Sequence, residues 1–71
     1  MRKAPAELTP TETTIASLAA SGLTNRAIAE RIYLSPKTIE GNLARVYRKL
    51  GIRSRAELGR AMAERERDAE R

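Results

Sequence analysis

Apolar residues recur along this chain in four separate groups, each at helical intervals. Ile15, Leu18 and Ala19 form the first, and Ile28, Ala29 and Ile32 the second. Ile39, Leu43, Val46, Tyr47 and Leu50 form the third, and Leu58, Ala61 and Met62 the fourth. Steps of three and four residues place each group on one face of a helix. A start signal precedes every group. Thr9-Pro10-Thr11-Glu12 reads as a capping box with proline at the first helical position. Thr24 can cap the second helix, with Leu23 and Ile28 as a hydrophobic staple. Ser35-Pro36 opens the third, with Leu34 and Ile39 as its staple, and Ser54-Arg55-Ala56-Glu57 is a second capping box. Gly22 suits the end of the first helix. Gly51 suits a left-handed cap on the third, with Ile52 folding back on Tyr47.

The links between these segments are two to four residues long, so the helices must fold back on one another. The expectation is all-α: a compact four-helix domain containing a helix-turn-helix over residues 8–63. A flexible N-terminal segment, 1–7, precedes it and a charged tail, 64–71, follows. Both ends have little to bury, so Met1–Glu7 and Ala63–Arg71 are expected to fray. The chain has 71 residues and room for one core. It has no cysteine and no histidine, which removes disulfides, the usual zinc sites and the commonest general base. With no glycine-rich phosphate loop and no carboxylate pair in an apolar pocket, no enzyme, metal or cofactor is expected. No stretch has the pattern of a signal peptide or the length of a membrane span, so no membrane partner and a cytoplasmic location are the default.

Charge sharpens this picture. The net charge is +5, and residues 35–55 carry all of it: Lys37, Arg45, Arg48, Lys49, Arg53 and Arg55 against Glu40 alone. A concentrated basic stretch favours a polyanion, nucleic acid first; a solvated basic face is the plainer reading. Laid out at about 100° per residue, the third helix puts Lys37, Gly41, Ala44, Arg45 and Arg48 opposite its apolar side, flanked by Thr38, Glu40 and Lys49. Mid-helix glycine costs about 1 kcal/mol relative to alanine. A solvated helix gains nothing from it, whereas a helix entering a groove gains close approach to base edges. The second and third apolar groups, joined by Tyr33-Leu34-Ser35, have the spacing of a helix-turn-helix, a spacing that plain helical hairpins share.

The run from Leu8 to Leu58, with "LTPTE", "GLTNRAIA", "LSPKTI" and "YRKLGIRSR", closely resembles the LuxR-type (GerE-type) DNA-binding domain of bacterial transcription regulators. That resemblance implies a four-helix fold with a recognition helix over 36–50 in the major groove of duplex DNA. It implies a phosphate role for Thr24, Asn25, Ser35, Lys37, Thr38 and Lys49. Glu40, Gly41, Ala44 and Arg45 fall where the family reads bases, and Arg48 stands on the same outward face. Glu12 matches an acidic residue packed against the reading unit. Asn42 departs from the histidine common in the family, Thr11 from arginine and Glu40 from lysine. The family dimerises through its last helix, where Ala56, Gly59 and Ala63 form a small-residue face, so a weak homodimer is expected. Further partners implied are RNA polymerase and a sensor or receiver domain ahead of this one.

Several residues also have plainer readings. Lys37 and Glu40, three apart, can simply pair on the surface. Tyr33 and Tyr47 read as packing residues. Arg53 and Arg55 sit beside a helix N-terminus, where cations are unfavourable, and this tilts them toward phosphate. Two rival functions remain: a helical protein-interaction module, and a domain like region 4 of a sigma factor that docks on RNA polymerase.

Overall fold

The computed structural model describes residues 7–69. The expected fraying of Met1–Glu7 lies, apart from Glu7, outside the described residues. The chain forms α1 (Pro10–Ala20), α2 (Asn25–Ile32), α3 (Pro36–Leu50) and α4 (Arg55–Ala69). The four apolar groups converge. Ile15, Ala16 and Ala19 of α1 meet Ile28 and Ala29 of α2, Ile39, Leu43 and Val46 of α3, and Leu58 of α4 in one buried cluster. Each of the large members contributes about 1.5–3 kcal/mol by leaving water. α1 is the hub: it packs on all three other helices, while α2 and α3 pack on each other. Among the described residues, no helix is long and apolar enough to cross a membrane.

The start signals act as expected. Thr9 Oγ1 accepts the Glu12 N–H at 3.1 Å and Glu12 Oε1 accepts the Thr9 N–H at 2.9 Å, closing the capping box. Thr24 Oγ1 accepts from Ala27 N–H and Ser35 Oγ from Thr38 N–H, both at 3.1 Å. α3 ends on Gly51 at φ 69°, with the Ile52 N–H returning to the Tyr47 carbonyl at 3.0 Å.

Three local expectations need correction. Ser54 caps α4 through the Glu57 N–H at 3.2 Å, but Glu57 Oε1 turns back to the Arg53 N–H at 2.7 Å, one residue before the cap. Tyr33 is 92% exposed and not a packing residue. It ends α2 in the left-handed region at φ 60°, where a side chain is strained. The same turn returns the Leu34 N–H to the Ala29 carbonyl at 3.0 Å, with Leu34 37% exposed. Finally, α4 does not fray at Ala63 but continues to Ala69. Residues 63–68 are exposed there, so this part of the helix is held by its own backbone bonds and not by burial.

Candidate nucleic-acid interface

α3 and α1 cross where Glu12 stands. Its carboxylate is 3% exposed and is met by two cations from α3. Lys49 Nζ donates to Oε1 at 2.7 Å, and Arg45 Nε donates to Oε2 at 3.3 Å. The Lys49 bond and the Thr9 N–H, helped by Arg45 and opposed by burial, hold the Glu12 carboxyl down from 4.5 to about 2. Lys49 also donates to the Glu7 carbonyl at 3.2 Å and is only 26% exposed. Its ammonium thus has two protein acceptors where the sequence suggested an open phosphate contact.

Asn42 completes this cluster. It is 8% exposed, and with Glu12 it makes up the buried polar residues among those described. Its Nδ2 donates to the Thr38 carbonyl at 2.9 Å, and its Oδ1 accepts from Arg45 Nη2 at 3.2 Å. The sequence offered only its departure from a family pattern. Its position one turn before Arg45 on the helix was the one signal that pointed to contact.

A second internal cation is Arg55. Its Nη1 donates to the carbonyls of Ala19 at 3.2 Å and Leu23 at 2.8 Å, and its Nη2 to Asn25 Oδ1 at 2.6 Å. The guanidinium therefore sits at the C-terminal end of α1, where carbonyls lack helix partners and positive charge is favourable. These bonds give Arg55 an internal role that the sequence did not suggest. They also orient the Asn25 amide. With Oδ1 facing Arg55, the Nδ2 donors at the start of α2 face away from it.

The rest of the outward face is open. Lys37, Thr38, Glu40, Gly41, Ala44 and Arg48 are all exposed. Among the described residues, the ion pairs are Arg26–Glu30 and the two on Glu12. Lys37 and Glu40 therefore do not pair, and Lys37, Arg48 and Arg53 carry charges with no carboxylate against them. Ser35 Oγ meets Thr38 Oγ1 at 3.0 Å at the head of α3, so both hydroxyls lie together beside Lys37. A Cβ added at Gly41 meets nothing within 4 Å. The fold itself places no demand for glycine there.

On α4, the small residues divide. Ala56 and Ala63 are exposed and Gly59 is half-buried. Gly59 and Ala63 line a shallow groove with Met62, with Thr13, Ser17 and Ala20 of α1, and with Ser21 just past its end. The small face thus borders α1.

Residues 6–62 match the family model described as bacterial regulatory proteins, luxR family. The chain is similar to the "Putative HTH-type transcriptional regulator" of Mycobacterium bovis, 46% identical over 61 residues, covering 80% of this chain and 7% of that protein. It is similar to the DNA-binding transcriptional activator DevR/DosR of Mycobacterium tuberculosis, 40% identical over 50 residues, covering 70% of this chain and 23% of that one. It is also similar to the tetrathionate response regulatory protein TtrR of Salmonella typhimurium, 46% identical over 52 residues, covering 73% and 25% respectively. The chain thus spans a quarter or less of the length of these relatives.

Proposed function

Because this chain belongs to the luxR family of bacterial regulatory proteins, we propose that it is the duplex-DNA-binding domain of a transcription regulator, with α3 in the major groove. One observation carries the placement of α3: its exposed side is low at Gly41 and Ala44 and bears unpaired cations at Lys37 and Arg48. Small residues admit the base edges, and cations at the margins hold phosphates. Lys37 and Arg48 are the principal phosphate contacts. Thr24, Asn25, Ser35 and Thr38 add polar donors at the starts of α2 and α3. Glu40 accepts from a cytosine amino group in the groove. Lys49 braces α3 against α1 and has little left for phosphate.

The domain acts in the cytoplasm, as a reader and not as an enzyme. It pairs weakly through Ala56, Gly59 and Ala63 of α4, on half-sites about one helical turn apart. It works with a sensor or receiver domain, a reading supported by the greater length of the relatives. RNA polymerase is its further partner at a promoter. Gly59→Glu should leave single-half-site binding intact and abolish cooperativity on paired half-sites in a gel-shift titration. Equal cooperativity would move the seam elsewhere.

The test of the main reading is selection of bound sequences from a random duplex library, followed by a salt titration by fluorescence anisotropy. Enrichment of one motif, with log Kd rising linearly in log salt, is the expected outcome. A helical docking module, or a domain that meets only polymerase, would give no motif and little duplex affinity.

A further inference from the structure

We infer that Arg45 presents a fixed end-on fork of two N–H groups to the O6 and N7 of one guanine, with Asn42 and Glu12 as the residues that position it. This rests on the reading of α3 as the groove helix and adds the base, the guanidinium edge and the positioning pair.

A guanidinium carries five N–H groups in a plane. The Nε–H and the Nη2–H beside it form one edge. In this chain that edge is occupied: Nε donates to Glu12 Oε2 at 3.3 Å and Nη2 to Asn42 Oδ1 at 3.2 Å. What remains is the second N–H of Nη2 and both of Nη1. The neighbouring N–H groups of Nη1 and Nη2 are parallel and point along the axis of the side chain. Parallel donors of this kind match the two acceptors that guanine alone shows in the major groove.

Surroundings and charge both favour a base over a phosphate. Arg45 is 50% exposed, so its head reaches solvent although one edge is tied down. Side chains on a helix lean toward its N-terminus, which carries this head over the turn that contains Gly41. Gly41 and Ala44 have no side chain tall enough to screen the free edge. A phosphate contact draws mainly on net charge, and Arg45 shares a carboxylate with Lys49. Its contribution is therefore more geometric than electrostatic. An arginine held by two partners has already lost the rotamer freedom that a mobile one would lose on binding.

Asn42 is the more telling positioning residue. Glu12 holds Arg45 and Lys49 alike, whereas among the described residues the Asn42 side chain accepts only from Arg45 and is itself anchored on the Thr38 carbonyl. Without Asn42 Oδ1 the guanidinium can rotate about its single remaining partner.

The test uses the duplex motif selected with the unaltered chain. One guanine in each half-site should lose about 5- to 150-fold in affinity when replaced by 7-deazaguanine, which lacks N7, the range equivalent to about 1–3 kcal/mol. Arg45→Lys keeps a cation beside Glu12 but has no fork, and should be indifferent to that replacement. Asn42→Leu should weaken the guanine preference while leaving the salt slope unchanged, with a thermal melt reporting any loss of folded protein. Asn42→Asp keeps an acceptor for Arg45 but loses the donor to the Thr38 carbonyl, and should restore the preference only in part. If Arg45→Lys keeps the preference for that guanine, or lowers affinity for all sequences alike, the fork does not read a base and the inference falls while α3 remains the groove helix. If no duplex is bound by the unaltered chain, the parent reading falls with it.

Discussion

The two sides of α3 carry similar residues in opposite conditions. Toward α1, Arg45 and Lys49 converge on one buried carboxylate and Asn42 fills the gap. On the outward side, Lys37 and Arg48 have no carboxylate against them among the described residues, and Gly41 and Ala44 leave the backbone close to the surface. The six cations of residues 35–55 look alike in the sequence. Two of them are internal fittings, Lys49 on Glu12 and Arg55 on two carbonyls and Asn25, and Arg45 is tied to Glu12 along one edge while its head stays half exposed. A basic stretch therefore overstates the charge that a polyanion meets. The side facing α1 sets where α3 stands, and a groove would touch the outward side together with the free end of Arg45.

The largest change should come from the tied side. Glu12→Gln removes the charge that balances two cations and should lower the melting temperature more than any outward substitution on α3. Acid does the same to the unaltered chain. The folded carboxyl titrates at about 2, below its ordinary 4.5, so the ionised form favours the fold. That stabilisation is complete above about pH 4.5 and is lost as pH falls through about 2. Melting curves across this window should converge for the unaltered chain and Glu12→Gln. Parallel curves would remove Glu12 as the source of the acid leg.

Next is Gly41→Leu, which fills the low point of the outward side. The folded chain should gain up to about 1 kcal/mol, because leucine is the better helix former. Specific duplex affinity should fall roughly tenfold or more, about 1.4 kcal/mol per decade. Undiminished affinity would show that nothing approaches the backbone there. The smallest effects contrast the two sides directly. Lys37→Ala and Arg48→Ala should each make the log–log salt slope shallower by about 0.9, while Lys49→Ala should hardly move it. A loss of slope for Lys49→Ala equal to the other two would erase the distinction between the sides.

Much of this fold can be read along the chain because it is local. Thr9, Thr24, Ser35 and Ser54 cap helices through N–H groups three residues away, and Gly51 ends α3 through its own neighbours. The apolar spacing likewise marks which side of each helix is buried. The site was legible in outline, since a helical layout shows which side of α3 faces outward. It fails at pairings across distance. Glu12 and Lys49 lie 37 residues apart and Arg55 and Asn25 lie 30 apart. Those bonds depend on the crossing angles of α1 with α3 and α4, which no local pattern encodes. The left-handed Tyr33 was hidden for a related reason: the short link forces the turn, and the sequence supplies no glycine to announce it. The continuation of α4 to Ala69 escaped because a helix without a buried face has no apolar rhythm to follow.

The empty space around Gly41 has a consequence for how this chain can change. An added Cβ there meets nothing within 4 Å, and Glu40 and Ala44 are exposed beside it. None of the three supports the core, a cap or an ion pair among the described residues. Substitutions at these positions are thus close to neutral for the folded state, and a new combination can be tried without a compensating change elsewhere. The domain behaves as a fixed chassis with an exchangeable tip. A library randomised at 40, 41 and 44, with proline left out, should stay almost entirely folded while its members diverge in the duplexes they retain.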